Sequence, residues 1–290
     1  MLGGDDREKV LVKCLADRDY QVRVYAQEKF FSRDNIFYSP NIQDIISDSD
    51  IIYAPVSSTD EHGFLKASFV DKKVKLNHDL LDQCPPRSLF LIGIANSYMK
   101  EILRDLDLDY VEIARLDDFA ILNAIPTAEG ALKIAIEETP FTLFDSKVII
   151  LGLGRVGLTL AWRLKMLGAE VYSATRSKKA VARGKDIGLQ MVKYDDLESV
   201  LPEIDLVFNT VPALIITDEY ISRLKKSAVI IDLASNPGGT DFAAAQSRGI
   251  KALLATGLPG KVASQSAGEI LGEIVPEIIE NPDHYLKKNC

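Results

Sequence analysis

The chain has 290 residues, 47% of them hydrophobic and 26% charged, with a formal net charge of −8; this suits a globular protein of about two domains and excludes a disordered one. The acidic excess argues against a nucleic-acid partner, because phosphate backbones would be repelled. Three scattered cysteines (Cys14, Cys84, Cys290) and three scattered histidines (His62, His78, His284) form neither a disulfide framework nor a metal cluster, and no apolar run reaches the roughly 18 residues of a membrane span, so a reducing cytoplasm without membrane contact is the expected setting.

At the start, GGDDR (3–7) looks like the glycine turn that follows a first strand, yet only Met1 and Leu2 precede it. Strands usually run about five residues, so either a natural start upstream or a first strand reduced to a stub is expected. REKVLVKCLAD (7–17) then reads as a helix and QVRVY (21–25), DIIYAPV (50–56), SLFLIGI (88–94) and YVEIA (110–114) as strands, with SYMKEILRDL (97–106) a second helix. IPTAEGALKIAIEET (125–139) reads as a connecting helix capped by Thr127 and stopped by Pro140, with LNAIPT (122–127) a crossing loop before it. Beyond it, KVIIL (147–151), EVYSAT (170–175), DLVFNTVP (205–212), AVIIDLAS (228–235) and KALLATG (251–257) are strands, and SAGEILGEIVPEII (266–279) is a helix that returns to the first domain. Alternating strands and helices imply parallel sheets covered on both faces. The expected class is α/β, two Rossmann-like doubly wound domains with a cofactor cleft between them: an N-terminal substrate or partner domain over 1–124, a dinucleotide-binding domain over 125–264, and a C-terminal helix over 265–290.

GLGRVG (152–157) directly follows a strand and opens the helix LTLAWRLKMLGA (158–169), the context that gives G-x-G-x-x-G its meaning. Gly152 allows the tight turn, Gly154 lets backbone approach a pyrophosphate, and Gly157 lets helix and strand pack closely; Leu153, Arg155 and Val156 complete the loop over a helix N-terminus that favours anions. Where an NAD enzyme carries an acid at the end of the second strand, this chain reads SATRSK (173–178). Arg176 stands nineteen positions beyond Gly157 and can pair with a 2′-phosphate through its planar fork, with Thr175 and Ser177 as hydroxyl donors and Lys178 and Lys179 adding potential. NADP is therefore expected in preference to NAD.

Ligands of doubly wound sheets sit beyond the carboxyl ends of the strands. Thr210, Val211 and Pro212, then Asp232, Leu233 and Ala234, and then Gly257 and Pro259 are accordingly expected along the cofactor, with Asp232 equally readable as structural. The polar loops of the first domain offer Asp5, Arg7, Ser57, Asn96 and Asn123 for a substrate, and Lys261 joins them from the second; Arg7, Arg115 and Lys261 are the cations considered for a carboxylate. His62 titrates in the range an acid/base needs, although a lone loop histidine is more often simply exposed. No catalytic triad or dyad is legible, and no catalytic residue is assigned.

Taken in order, GGDDR, NAIPTAEGALKIAI, ILGLGRVGLTLA, DLASNPGGTDF and IKALLATGLPGKVASQSAGEI resemble the A-subunit family of dipicolinate synthase over essentially the whole chain. G-x-G-x-x-G is generic; the pairing of DLASNPGGTDF with GLPGKVA is far more specific, and Ser264 and Ser266 stand where the family pattern has proline and threonine. The resemblance implies an NADP-dependent dehydrogenase subunit of sporulating bacteria, in the mother-cell cytoplasm, that oxidises dihydrodipicolinate or its hydrated precursor to dipicolinate. It also implies a small dicarboxylate substrate, a partner in the form of a flavoprotein-like B subunit, and a homo-oligomer as a further option. Two other readings share the scaffold. One is an oxidoreductase like the alanine or 2-hydroxyacid dehydrogenases, and the other is a non-catalytic NADP-binding regulatory subunit.

Overall fold

The computed structural model describes residues 1–71 and 73–286 of the chain. These divide into two units, Met1–Asn123 joined by the segment from Ala263, and Ala124–Val262.

The first unit is built on short parallel strands rich in β-branched and aromatic residues: β1 (Val22–Val24), β2 (Ile36–Tyr38) and β3 (Ile51–Tyr53), with a small antiparallel pair β4 (Phe64–Leu65) and β5 (Val74–Lys75), then β6 (Leu89–Ile92) and β7 (Tyr110–Glu112). β1 pairs with β2, and β3 with β6 and then β7, all in parallel. Residues 1–4 run between the two ladders: the Leu2 amide donates to Tyr53 O at 2.9 Å, and the Gly3 amide to Tyr25 O at 2.8 Å. Residues 1–4 thus take the place of a first strand, and the order across the unit is β2, β1, the 1–4 segment, β3, β6, β7. Four helices intervene in this stretch: α1 (Asp6–Ala16), α2 (Ile42–Ile46), α3 (His78–Leu81) and α4 (Ser97–Asp105).

The long helix α5 (Asp117–Glu138) follows. The sequence predicts a loop at 122–127 and a cap at Thr127, but the helix is continuous through both and begins at Asp117, with Pro126 inside it. A proline there removes one amide donor from the helical ladder; helix on both sides is retained because Phe119, Ala124, Ala128, Ala131 and Ala135 are buried. By length and composition α5 would reach across a bilayer, yet Ala128, Ala131 and Ala135 lie in the core of the second unit and Lys133 pairs with Glu137 on its exposed side, as in a core helix of a globular unit.

The second unit carries six parallel strands in the order β10, β9, β8, β11, β12, β13, from β8 (Lys147–Leu151), β9 (Glu170–Ala174), β10 (Gln190–Met191), β11 (Leu206–Asn209), β12 (Val229–Asp232) and β13 (Lys251–Leu254). Successive residues of β8 enter opposite layers: Val148 and Ile150 join α5 and α6 on one face, whereas Ile149 and Leu151 join Leu197, Leu201 and Ile221 on the other. Burial on both faces is why these strands read as continuous apolar runs. The helices are α6 (Arg155–Met166), α7 (Lys178–Asp186), α8 (Asp218–Arg223), α9 (Phe242–Ser247) and α10 (Leu258–Val262). The chain ends in α11 (Ser264–Glu280), with Pro276 inside it, and α12 (Pro282–Leu286). Both belong to the first unit, where Gly268 and Gly272 let α11 lie against Val10 and Cys14 of α1.

Candidate cofactor and substrate sites

The order of the second sheet reverses between β8 and β11, so the open crevice of the unit lies beyond the carboxyl ends of these two strands. Gly152 ends β8 with φ of 88°, and a side chain there would meet Thr210 Oγ1 at 2.5 Å and Val211 Cγ2 at 2.7 Å. Thr210 braces the turn, its hydroxyl lying 3.1 Å from both Leu151 O and Gly152 O. Gly157 is closed in: a Cβ would collide with the carbonyl of Gly152. Gly154 differs, since nothing lies within 4 Å of where its Cβ would be. The open ground over Gly154 and the first turn of α6 fits a pyrophosphate, with free amides and the helix dipole facing it. Arg155 is exposed beside it and Val156 half-buried, while the Leu153 side chain is in the core, so that only its backbone can serve a ligand.

Beyond β9, Thr175 is half-buried and Arg176 and Ser177 are exposed. Ser177 caps α7 by accepting the Ala180 amide at 3.2 Å, which leaves its O–H free to donate. Arg176 has no carboxylate partner among the described residues; its guanidinium lies 5.7 Å from the centre of the Tyr194 ring. With Lys178 and Lys179 on the first turn of α7, the end of β9 is a cationic rim without an acid.

Past β11 and β12 the structure shows how Asp232 is engaged. Asp232 is wholly buried and its oxygens are taken up within the protein. Oδ1 accepts from Asn209 Nδ2 at 2.9 Å and the Ala234 amide at 3.0 Å; Oδ2 accepts from the Gly239 amide and Thr240 Oγ1, both at 2.7 Å. The side chain braces the 234–240 loop, the structural of its two readings, with both oxygens engaged within the protein. Val211 is half-buried and Pro212 exposed at the crevice; Leu233 is half-buried, Ala234 buried, Gly257 exposed with φ of 67°, and Pro259 buried within the first turn of α10. Lys261, on that helix, is exposed and has no ion-pair partner among the described residues.

In the first unit several of the expected substrate residues are engaged in hydrogen bonds and ion pairs within the protein. Asp5 caps α1 and holds Arg7 bidentately, Nε at 2.8 Å and Nη2 at 2.7 Å. Burial works to raise the Asp5 pKa, but the hydrogen bonds and charge of Arg7 hold it below the usual carboxylate range. Asn96 caps α4 and donates to Thr59 Oγ1 and Asp60 O, and Arg115 pairs with Glu112 at 2.9 Å. Asn123 is half-buried on α5, and His62 is exposed beside Glu61. Ser57 is the exception, because its Oγ is shielded from solvent without a hydrogen-bond partner among the described residues.

Two carboxylates are not announced as site residues by the sequence. Glu8 accepts the Asp5 amide, completing a capping box, and also accepts the Val56 amide at 3.0 Å and the Tyr53 hydroxyl at 3.3 Å; burial raises its pKa, and that of Tyr53 well above its ordinary value. The Asp5-x-x-Glu8 spacing is the available signal. Glu112, buried at the end of β7, accepts the Ala95 amide, and no spacing announces it. A cavity of about 510 Å³ beside Met1, Tyr20, Arg23, Asp50 and Ile51 sits at the amino ends of β1 and β3, away from these loops. Cys14 and Cys84 are free thiols, burial raising the Cys84 pKa to about 11; Cys290 lies outside the described residues.

Residues 1–114 match the family model of the N-terminal domain of the dipicolinate synthase A subunit. Residues 129–237 match that of the D-isomer specific 2-hydroxyacid dehydrogenase, NAD binding domain. The chain is 36% identical over 280 residues to the dipicolinate synthase A subunit of Bacillus subtilis strain 168, covering 96% of this chain and 94% of that protein. Its fold is similar to the crystal structure of the dipicolinate synthase A subunit from Bacillus halodurans, with a TM-score of 0.91, 33% identity and coverage of 96% and 95%. The dipicolinate synthase A chain from Bacillus subtilis gives 0.89, 34%, and coverage of 100% and 96%.

Proposed function

This chain belongs to the A-subunit family of dipicolinate synthase, and on that premise we propose that this NAD(P)-dependent oxidoreductase of sporulation oxidises dihydrodipicolinate, or its hydrated precursor, to dipicolinate with NADP as the acceptor. The observation that carries the cofactor choice is Arg176, an exposed guanidinium at the end of β9 with no carboxylate beside it among the described residues. An acid at that place would bind ribose hydroxyls and repel a 2′-phosphate; a fork of N–H donors does the reverse.

A bound nicotinamide would supply the hydride acceptor. The remaining tasks fall to the chain. The backbone at Gly154 and the first amides of α6 hold the pyrophosphate. Arg176, Thr175 and Ser177 hold the adenosine end. Lys261 supplies charge for one substrate carboxylate. The dihydropyridine gives up one hydride and one proton, the latter passing to solvent, and the hydrated precursor loses a water as well. Because the product ring is aromatic, orientation contributes more than a strong base, and none of these residues is asked to act as one. The relatives bear the name of one lettered component of a synthase, which supports assembly with a B subunit.

The test is formation of NADPH and dipicolinate from the precursor by the purified chain, with and without the B subunit, in wild type and Arg176→Ala. Activity with NADP, and a loss of at least tenfold in NADP affinity in the variant with NAD affinity unchanged, is expected for loss of a charge-assisted pair. Bound NADP that never turns over, beside an active B subunit, would replace this reading with a regulatory one.

A further inference from the structure

Arg176 is exposed, and the groups around it decide whether its guanidinium is held ready for a phosphate. A surface arginine has four side-chain torsions and loses considerable rotamer entropy when a ligand fixes it. A carboxylate would order it, but would also take the donors a phosphate needs. An aromatic ring does not compete in that way, because it attracts the guanidinium through the face and leaves the N–H groups in the plane free. Tyr194 has this relation to Arg176, with the guanidinium carbon 5.7 Å from its ring centre.

The placement follows from the sheet. β10 lies beside β9 in parallel, Met191 opposite Ser173, and the Val192 amide continues the ladder to Ser173 O at 2.9 Å. The segment leaving β10 therefore emerges next to the segment leaving β9, which carries Arg176. Tyr194 is half-buried there. Its hydroxyl reaches back to Ala174 O at 3.4 Å in a long bond, and its backbone carbonyl accepts another from Tyr220 Oη at 3.5 Å, so the backbone of Tyr194 is tied to α8 and its half-buried ring lies against β9. Asp195 and Asp196, next in the chain, are exposed and form no ion pair with Arg176.

We propose that Tyr194 is a positioning residue for the 2′-phosphate of NADP: its ring carries the Arg176 guanidinium by one face and leaves the fork open to the phosphate. This rests on the NADP reading given above and adds the residue that makes Arg176 selective. It acts on the phosphate-bearing cofactor alone, since NAD offers nothing for the fork to grip.

The test is direct binding of NADP, NAD and adenosine 2′,5′-bisphosphate by titration calorimetry to wild type, Tyr194→Phe, Tyr194→Leu, Arg176→Ala and the Tyr194→Leu/Arg176→Ala double variant. Tyr194→Leu is expected to weaken NADP and the bisphosphate about three- to fivefold, the size of an exposed cation–π contact, and NAD less than twofold. Tyr194→Phe keeps the ring and is expected to bind as wild type does. The double variant is expected to bind no more weakly than Arg176→Ala. Equal weakening of NADP and NAD by Tyr194→Leu, or additive losses in the double variant, would give Tyr194 a merely structural role and overturn the proposal. If Arg176→Ala itself leaves NADP preference intact, the cofactor reading fails and this proposal with it. If Arg176→Ala removes the preference and Tyr194→Leu does nothing, only the role of Tyr194 is lost.

Discussion

Arg7 and Lys261 are cations of the same prospect in the sequence, both beside glycine-rich loops, and their fates differ because of single neighbours. Arg7 is 8% exposed and locked to Asp5, whereas Lys261 stands in solvent without an ion-pair partner among the described residues. The Asp5–Arg7 pair has a measurable signature. Asparagine caps a helix as well as aspartate does, so Asp5→Asn keeps the cap but removes the negative charge opposite the largely buried Arg7 guanidinium. A loss of about 2–3 kcal/mol at pH 7 is expected in urea unfolding, in line with breaking a buried pair. Since the folded pKa of Asp5 is depressed, its contribution is complete above the ordinary aspartate pKa of about 3.9 and disappears as pH falls through the lower folded value. The gap between wild type and variant should therefore be flat from about pH 5 to 7 and close below about pH 4. A gap that persists undiminished at about pH 2 would mean that the pair is not its source.

At the level of elements, the turn from β8 into α6 is legible because its chemistry is local: three glycines, each demanded by a different short-range collision or approach. Gly157 and Gly154 can be separated by experiment. A methyl group at Gly157 meets the Gly152 carbonyl, so Gly157→Ala must shift α6 off β8 and is expected to lose both stability, about 2 kcal/mol or more, and NADP binding. Gly154 is extended at φ of −81° and has open space around its Cβ position, so Gly154→Ala should unfold within about 0.5 kcal/mol of wild type yet bind NADP at least tenfold more weakly. Equal stability loss in both variants, by chemical denaturation, would contradict the geometry. The start of α5 is hidden for the opposite reason. Thr127 and Pro126 are strong local signals for a helix start, but burial of Phe119, Ala124 and Ala128 acts over the whole length of the helix and outweighs them.

On the scale of the molecule, each unit has its own sheet with apolar layers on both faces, and the cofactor loops all belong to the second. NADP at about a hundred times its Kd should stabilise the unit that binds it by about 2.7 kcal/mol. Native-state hydrogen exchange should then show the slowest amides of β8, β11 and β12 gaining that protection, with those of β6 and β7 gaining less. Equal gains in both sheets would mean that the two units unfold as one. The α/β class, the parallel strands, the glycine turn and the missing acid at β9 are all readable from the chain, because each depends on residues within about twenty positions of one another or on a repeating pattern. Which polar groups remain open to a ligand is not readable. Asp232, Asn96, Asp5 and Arg7 read as open polar groups but are engaged in internal hydrogen bonds, while Tyr194, eighteen positions beyond Arg176, comes to lie against it. That sorting follows from strand order and burial, which bring distant segments together and engage their hydrogen-bonding groups, and only the folded chain decides it.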